Sequence, residues 1–137
     1  MPFKVLDHTA DFMVEVQAAD LPALFVDAAR SMLSILTDPK TVQRRQGLSI
    51  EVEADNLEQL LVTWLTELIF RHETELWLFS EFEIQAMTET RLEARIWGEK
   101  LDPKRHPIER EIKAVTYHQL GIEEKDGEYR TRIVFDL

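Results

Sequence analysis

Apolar residues in this chain recur mostly at every second position, and only two stretches keep a helical period, which constrains the fold more than any other feature. Phe12, Val14, Val16 and Ala18 alternate with Met13, Glu15 and Gln17, the pattern of a strand with one buried face. The same alternation runs through Leu48, Ile50, Val52 and Ala54, through Phe82, Ile84 and Ala86, and through Leu92, Ala94 and Ile96. Residues 112–120 and 129–135 complete the expected strands. Between these last two, Lys125-Asp126-Gly127 predicts a hairpin turn that needs positive φ.

In the first helical stretch Leu24, Phe25, Ala28, Ala29, Met32, Leu33 and Leu36 predict a helix over about 21–36. Asp20 is its expected N-cap, Pro22 is tolerated in the first turn, and Asp38-Pro39 ends the run because a residue before proline avoids the α region. Asp55 and Glu58, at capping-box spacing, open a second helix with the stripe Leu57, Leu60, Leu61, Trp64, Leu65, Leu68 and Ile69, fading near His72. Strands and helices do not alternate regularly, and most strands are separated by short turns. The expected class is therefore α+β, a mainly antiparallel sheet carrying two amphipathic helices, rather than a doubly wound parallel sheet. At 137 residues, 45% hydrophobic and with few Gly and Pro, the chain 1–137 is expected to fold as a single domain.

Sixteen Lys and Arg against 26 Asp and Glu give a net charge of −10, a sign that repels a phosphate backbone, so direct tight nucleic-acid binding is not expected. No apolar run approaches the roughly 20 residues that span a bilayer, and Met1-Pro2-Phe3-Lys4 lacks the layout of a secretion signal. A cytoplasmic protein without a membrane partner is expected. The absence of cysteine removes disulfides, thiol nucleophiles and thiolate metal sites, so any metal must take oxygen or imidazole ligands.

The densest polar cluster is Asp7-His8-Thr9-Ala10-Asp11, just ahead of the strand that opens at Phe12. Carboxylates four residues apart in an irregular segment can turn to one hard cation such as Ca²⁺ or Mg²⁺, or Asp7 can simply accept backbone N–H groups in an Asx turn. At the other end Asp136 and the α-carboxylate of Leu137 repel each other unless a cation shared with Asp11 lies between them; the plainer reading is a solvated tail. His8, His72, His106 and His118 show no zinc-hydrolase spacing, and His118, expected on one strand face with Ile112 and Ala114, reads as structural. Glycines 47, 98, 121 and 127 make no phosphate loop, and no serine sits in a nucleophile elbow. Lys100, Lys104, Arg105 and the stretch from Arg110 to Lys113 are a solvated basic face or a meeting place for an acidic partner.

With the Asp7-His8-Thr9-Ala10-Asp11 signature, the stretches Leu24-Phe25 with Ala28-Ala29, Leu60-Leu61-Val62-Thr63-Trp64-Leu65-Thr66-Glu67-Leu68, Gly98-Glu99, Glu111-Ile112-Lys113-Ala114-Val115-Thr116-Tyr117-His118 and the penultimate Asp136 follow in order. Over essentially its full length the sequence resembles the archease family. Phe12-Met13 and Trp77 depart from the pattern but keep its apolar character.

The resemblance implies a sheet-based α+β fold with two helices and a role as accessory protein to an RtcB-type RNA ligase. Such a protein promotes guanylylation and multiple turnover of the ligase in tRNA splicing and RNA repair, and is not itself an enzyme. It further implies a divalent cation, calcium before magnesium or manganese, at Asp11, Asp136 and Leu137, and a part in ligase activation for Asp11, Lys113 and Asp136. Asp7 and His8 then serve as scaffold of the loop. Two rival classes are a metal-dependent phosphodiester hydrolase using Asp7, Asp11 and Asp136, and a general chaperone or interaction domain.

Overall fold

The computed structural model describes residues 3–6 and 11–137, leaving aside the side chains of 4–6, 11 and 117–120. The elements run β1 (Phe3–Leu6), β2 (Asp11–Ala18), α1 (Leu21–Leu36), a 3₁₀ turn (Pro39–Thr41), β3 (Gln46–Glu53), α2 (Leu57–Glu75), β4 (Trp77–Met87), β5 (Arg91–Lys100), β6 (Ala114–Lys125) and β7 (Glu128–Asp136). All described pairings are antiparallel, in a four-stranded sheet of order β1-β2-β7-β6 and a three-stranded sheet of order β3-β5-β4. The expected α+β class is the observed one, resolved into two sheets.

Helix α1 spans the expected residues because its ends are fixed by local chemistry. The Asp20 carboxylate accepts the N–H of Ala23 at 2.8 Å, and the extended backbone of Thr37 closes the far end, its N–H on the Leu33 carbonyl. The second helix begins differently from expectation. Its N-cap is Asn56, whose side-chain oxygen accepts the Gln59 N–H at 2.9 Å, and Asp55 does not cap it. Two overlapping acceptor-x-x-acceptor spacings lie in the sequence, and only Asn56 stands at the extended residue before the first helical turn. At the other end Leu76 takes the left-handed conformation, φ 61°, its N–H meeting the carbonyls of Arg71 and His72.

Both helices touch strands of both sheets, so the helical pair lies between them. That placement explains why ten of the sixteen α1 residues are buried, including Leu24, Phe25, Ala28, Ala29 and Met32, whereas α2 buries only the stripe Leu60, Leu61, Trp64, Leu65, Leu68 and Ile69. Trp64 is fully buried and donates its indole N–H to the Phe25 carbonyl at 3.0 Å, joining the helices without leaving a polar group unpaired. Its ring meets Phe82 edge-on at 6.2 Å, and Phe79 packs against Phe82 at 5.9 Å, carrying the core into the smaller sheet.

Three local departures from simple alternation matter. Gly98 lies where a Cβ would come within 1.9 Å of the Leu78 carbonyl oxygen, beside the register shift between Phe79 and Glu81, so only glycine lets β4 and β5 approach this closely. The pairing of β6 with β7 also slips, between Tyr117 and Ile122. Third, Ile112 is buried while Ala114 is exposed, so these two do not share a strand face as the alternation implied; β6 starts at Ala114, and Ile112 belongs to its irregular lead-in. The side chain of His118 lies outside the described residues. Asp126 and Gly127, at φ 53° and 79°, form the expected hairpin turn.

Candidate functional site

Strand β7 occupies an interior place in its sheet, with β2 on one side and β6 on the other, and all three reach their ends in the same row. Asp11, the first residue of β2, stands directly opposite Asp136, the last of β7, and Asp136 also faces Ala114, the first residue of β6. The Lys113 N–H donates to the Asp136 carbonyl at 2.7 Å. Thus three of the four residues expected at the site, 11, 113 and 136, converge at one end of one sheet although the sequence spreads them over almost the whole chain.

The side chains of Lys113 and Asp136 are exposed, while Leu137 is half-buried and packs against the main core. In the next row Phe12 pairs with Phe135, Phe135 with Val115, and these close the core beneath the tip. The Arg110 guanidinium lies 4.8 Å above the Phe12 ring, placing a second cation beside Lys113 in the lead-in to β6. Asp7, His8, Thr9 and Ala10 of the signature lie outside the described residues.

Acidic residues at facing positions of an antiparallel pair are an unfavourable choice unless something offsets their charge, and oxygen donors of this kind suit a hard divalent cation. In charge and donor chemistry the row therefore fits the expected metal. Among the described residues no group of three His, Asp or Glu side chains is arranged to hold a metal ion; the Asp11 side chain is not among them.

A second polar centre was not foreseen from the sequence beyond the Gly98-Glu99 match. The Glu99 side chain, on a residue 3% exposed, is ringed by donors. The Gln43 N–H reaches it at 2.6 Å, the buried His106 Nε2 lies 3.0 Å away, Arg105 forms a short ion pair with it, and Arg45 lies at 3.3 Å. His106 Nδ1 accepts the Asp102 N–H at 2.8 Å, so Nε2 carries the ring proton and donates it to Glu99. Burial pushes the Glu99 carboxyl up, but the bonds from Gln43, Arg105 and His106 and the Arg105 charge outweigh it and bring it down to about 2. Beyond that match the sequence offers a carboxylate at a strand end followed by cations and a histidine, too common a pattern to single out.

The segment 101–113 joins the two centres. From His106 it passes the end of α1, where the Thr37 hydroxyl donates to the Pro107 carbonyl at 2.6 Å and the Glu109 N–H to the Leu36 carbonyl at 3.1 Å, and it reaches Asp136 through Lys113.

A sequence model of the archease protein family matches residues 3–137. "Protein archease" of Methanopyrus kandleri is 38% identical over 140 residues, covering 100% of both chains, and its namesake from Sulfurisphaera tokodaii is 32% identical over 136 residues, covering 98% of each. The solution structure of Methanobacterium thermoautotrophicum protein 1598 superposes with a TM-score of 0.84 at 32% identity, covering 99% of both chains. A crystal structure from Thermotoga maritima, titled an archease and possible chaperone, has a TM-score of 0.62 at 21% identity, covering 98% of this chain and 96% of that one, a likeness of fold.

Proposed function

Since the chain belongs to the archease family, we propose that it is an accessory protein of an RtcB-type RNA ligase, promoting the ligase's guanylylation and repeated turnover in tRNA splicing and RNA repair. The observation that carries this reading is the row in which Asp11 faces Asp136 and Lys113 is tied to the Asp136 backbone, because it gathers the residues the family resemblance points to. In this reading Asp11, Asp136 and Leu137 hold a divalent cation, calcium foremost. These residues would hold the cation, which would offset the charge of the two aspartates and supply a positive centre for a partner's oxyanion.

The chain's own residues do the remaining work. Phe12, Phe135 and Val115 pack beneath the row and fix its backbone, while the 101–113 segment positions Lys113 at its edge. The exposed Lys113 ammonium suits a phosphate or carboxylate of the partner complex. A net charge of −10 favours docking against a basic protein channel over gripping RNA directly.

The test is a single-turnover guanylylation assay of the cognate ligase with wild-type chain, Asp11→Asn, Asp136→Asn and Lys113→Ala. Each variant is expected to lose stimulation while keeping its thermal midpoint, and calcium titration calorimetry should show heat with wild type and none with Asp136→Asn. Full stimulation by both aspartate variants would sink the assignment. One observation favours a chaperone reading: Phe70 is 53% exposed on α2 beside Val62, and the Thermotoga maritima relative is titled a possible chaperone. Under that reading Phe70→Ser, and not the tip variants, would abolish activity.

A further inference from the structure

The Glu99 centre has no part in the chemistry proposed for the aspartate row, yet it stands at the root of the segment that supplies Lys113. Residues 101–113 form neither helix nor strand, so no ladder of backbone hydrogen bonds decides which residue stands where. The segment leaves β5 in the smaller sheet, enters β6 in the larger, and is held at separate points on the way. Its Leu101 N–H donates to the Leu76 carbonyl at 2.7 Å, and the Asp102 carbonyl accepts the N–H groups of Arg105 and His106 at 2.9 and 2.8 Å, closing a turn. Beyond the turn come the bonds to Thr37 and Leu36, the buried Ile112, and the Lys113 bond to Asp136.

Within that turn two consecutive side chains, Arg105 and His106, address the same carboxylate, while the Gln43 N–H and Arg45 reach it from the chain ahead of β3. His106 is fixed at both ring nitrogens, Nδ1 by the Asp102 N–H and Nε2 by Glu99. Sliding the segment by one residue would bring Arg105 or Pro107 to its place. Neither side chain can both accept from Asp102 and donate to Glu99. A buried charged cluster gains little over well-packed apolar residues in net stability, but a fully bonded one admits a single arrangement of its members. The same register is read again near the tip, where a one-residue shift would drive Glu111 or Lys113 into the core position of Ile112, which is 2% exposed.

We propose that Glu99 and His106 are positioning residues for the aspartate row: they set the register of the 101–113 segment and so hold Lys113 beside Asp136. They act through the segment and touch neither cation nor partner. Their effect on ligase activation rests on the function proposed above, whereas their effect on the place of Lys113 does not.

The experiment has two readouts, both on the full chain. Amide hydrogen exchange followed by NMR reports the segment directly. Glu99→Gln removes the charge, and His106→Asn keeps an acceptor for the Asp102 N–H but no longer reaches Glu99. Each should speed exchange of the Glu109 and Lys113 N–H groups about tenfold or more, the size expected for loss of a charge-assisted bond that restrains local opening. Asn56→Ala, destabilised at the cap of α2, should leave both rates unchanged. The second readout is ligase guanylylation, where Glu99→Gln should lower the maximal stimulation and Glu99→Gln/Lys113→Ala should be no worse than Lys113→Ala alone, because two residues acting through one effect are not additive. Unchanged exchange at Glu109 and Lys113 in both variants, equal acceleration in Asn56→Ala, or additive losses in the double variant would each overturn the proposal. Full stimulation by Lys113→Ala alone would count against the ligase reading, while the exchange rates would still decide the positioning.

Discussion

Replacing Glu99 with Gln keeps the side chain's shape and removes the charge to which Arg45, Arg105 and His106 are directed. The expected cost is roughly 1.5–3 kcal/mol at neutral pH, the range for hydrogen bonds to a charged group. The pH dependence has a definite sign. Because the folded carboxyl titrates at about 2 and its ordinary value is 4.5, its stabilisation is complete above about 4.5 and is lost as pH falls toward 2. Thermal midpoints of wild type and E99Q should differ at pH 6 and converge near pH 2; a gap that stays constant would mean that charge is not what Glu99 contributes. Its neighbour Gly98 admits no substitution, since an alanine Cβ would meet the Leu78 carbonyl, and Gly98→Ala should lose about 3 kcal/mol or more in denaturant titration. Gly98-Glu99 stood among the stretches of the family match, but the role of neither residue could be read from sequence. The partners of Glu99 lie 56 positions back and 7 ahead, and their meeting depends on how two sheet ends and a loop are brought together.

Elements were far more legible than such contacts. Helix α1 follows its apolar spacing to the residue, and each of the six alternating stretches falls on a strand apart from Ala54 and the lead-in at Ile112 and Lys113, because in both cases one face must meet the core and the period records which face. Misreadings arose where local signals are short or duplicated. Phe3–Leu6 is a strand of only four residues, too brief for alternation to show, and it exists by pairing with β2. At α2 the neighbouring Asp55 and Asn56 both have capping spacing, so Asn56→Ala should cost about 1 kcal/mol in urea denaturation while Asp55→Ala costs much less. At the other end of the same helix, Leu76 holds φ 61° with its side chain half in solvent. Leu76→Gly should therefore raise stability by about 1 kcal/mol, read as a higher denaturant midpoint at unchanged slope.

Across the whole molecule, one continuous set of buried residues runs from Val14 and Phe135 of the larger sheet through Phe25 and Trp64 of the helices to Phe79 and Ile96 of the smaller. A core shared in this way predicts a single cooperative transition, with near-ultraviolet and far-ultraviolet dichroism coinciding in denaturant; two separated transitions would show that the sheets fold apart. The candidate tip was legible because the signature and Asp136 could be named in advance, and the register then set positions 11 and 136 face to face. The placing of Arg44 and Arg95 against Trp97 was not, since they come together only after β3 and β5 have paired.

The enclosure of α1 between two sheets has a consequence for how the molecule breathes. Amide protons in a helix exposed along one side can swap with deuterium through brief local fraying, whereas those of α1 have structure on nearly every side. The slowest deuterium uptake should therefore fall in Leu24 to Met32 and need the entire fold to open, making this helix, and not any strand, the last part of the chain to let solvent in.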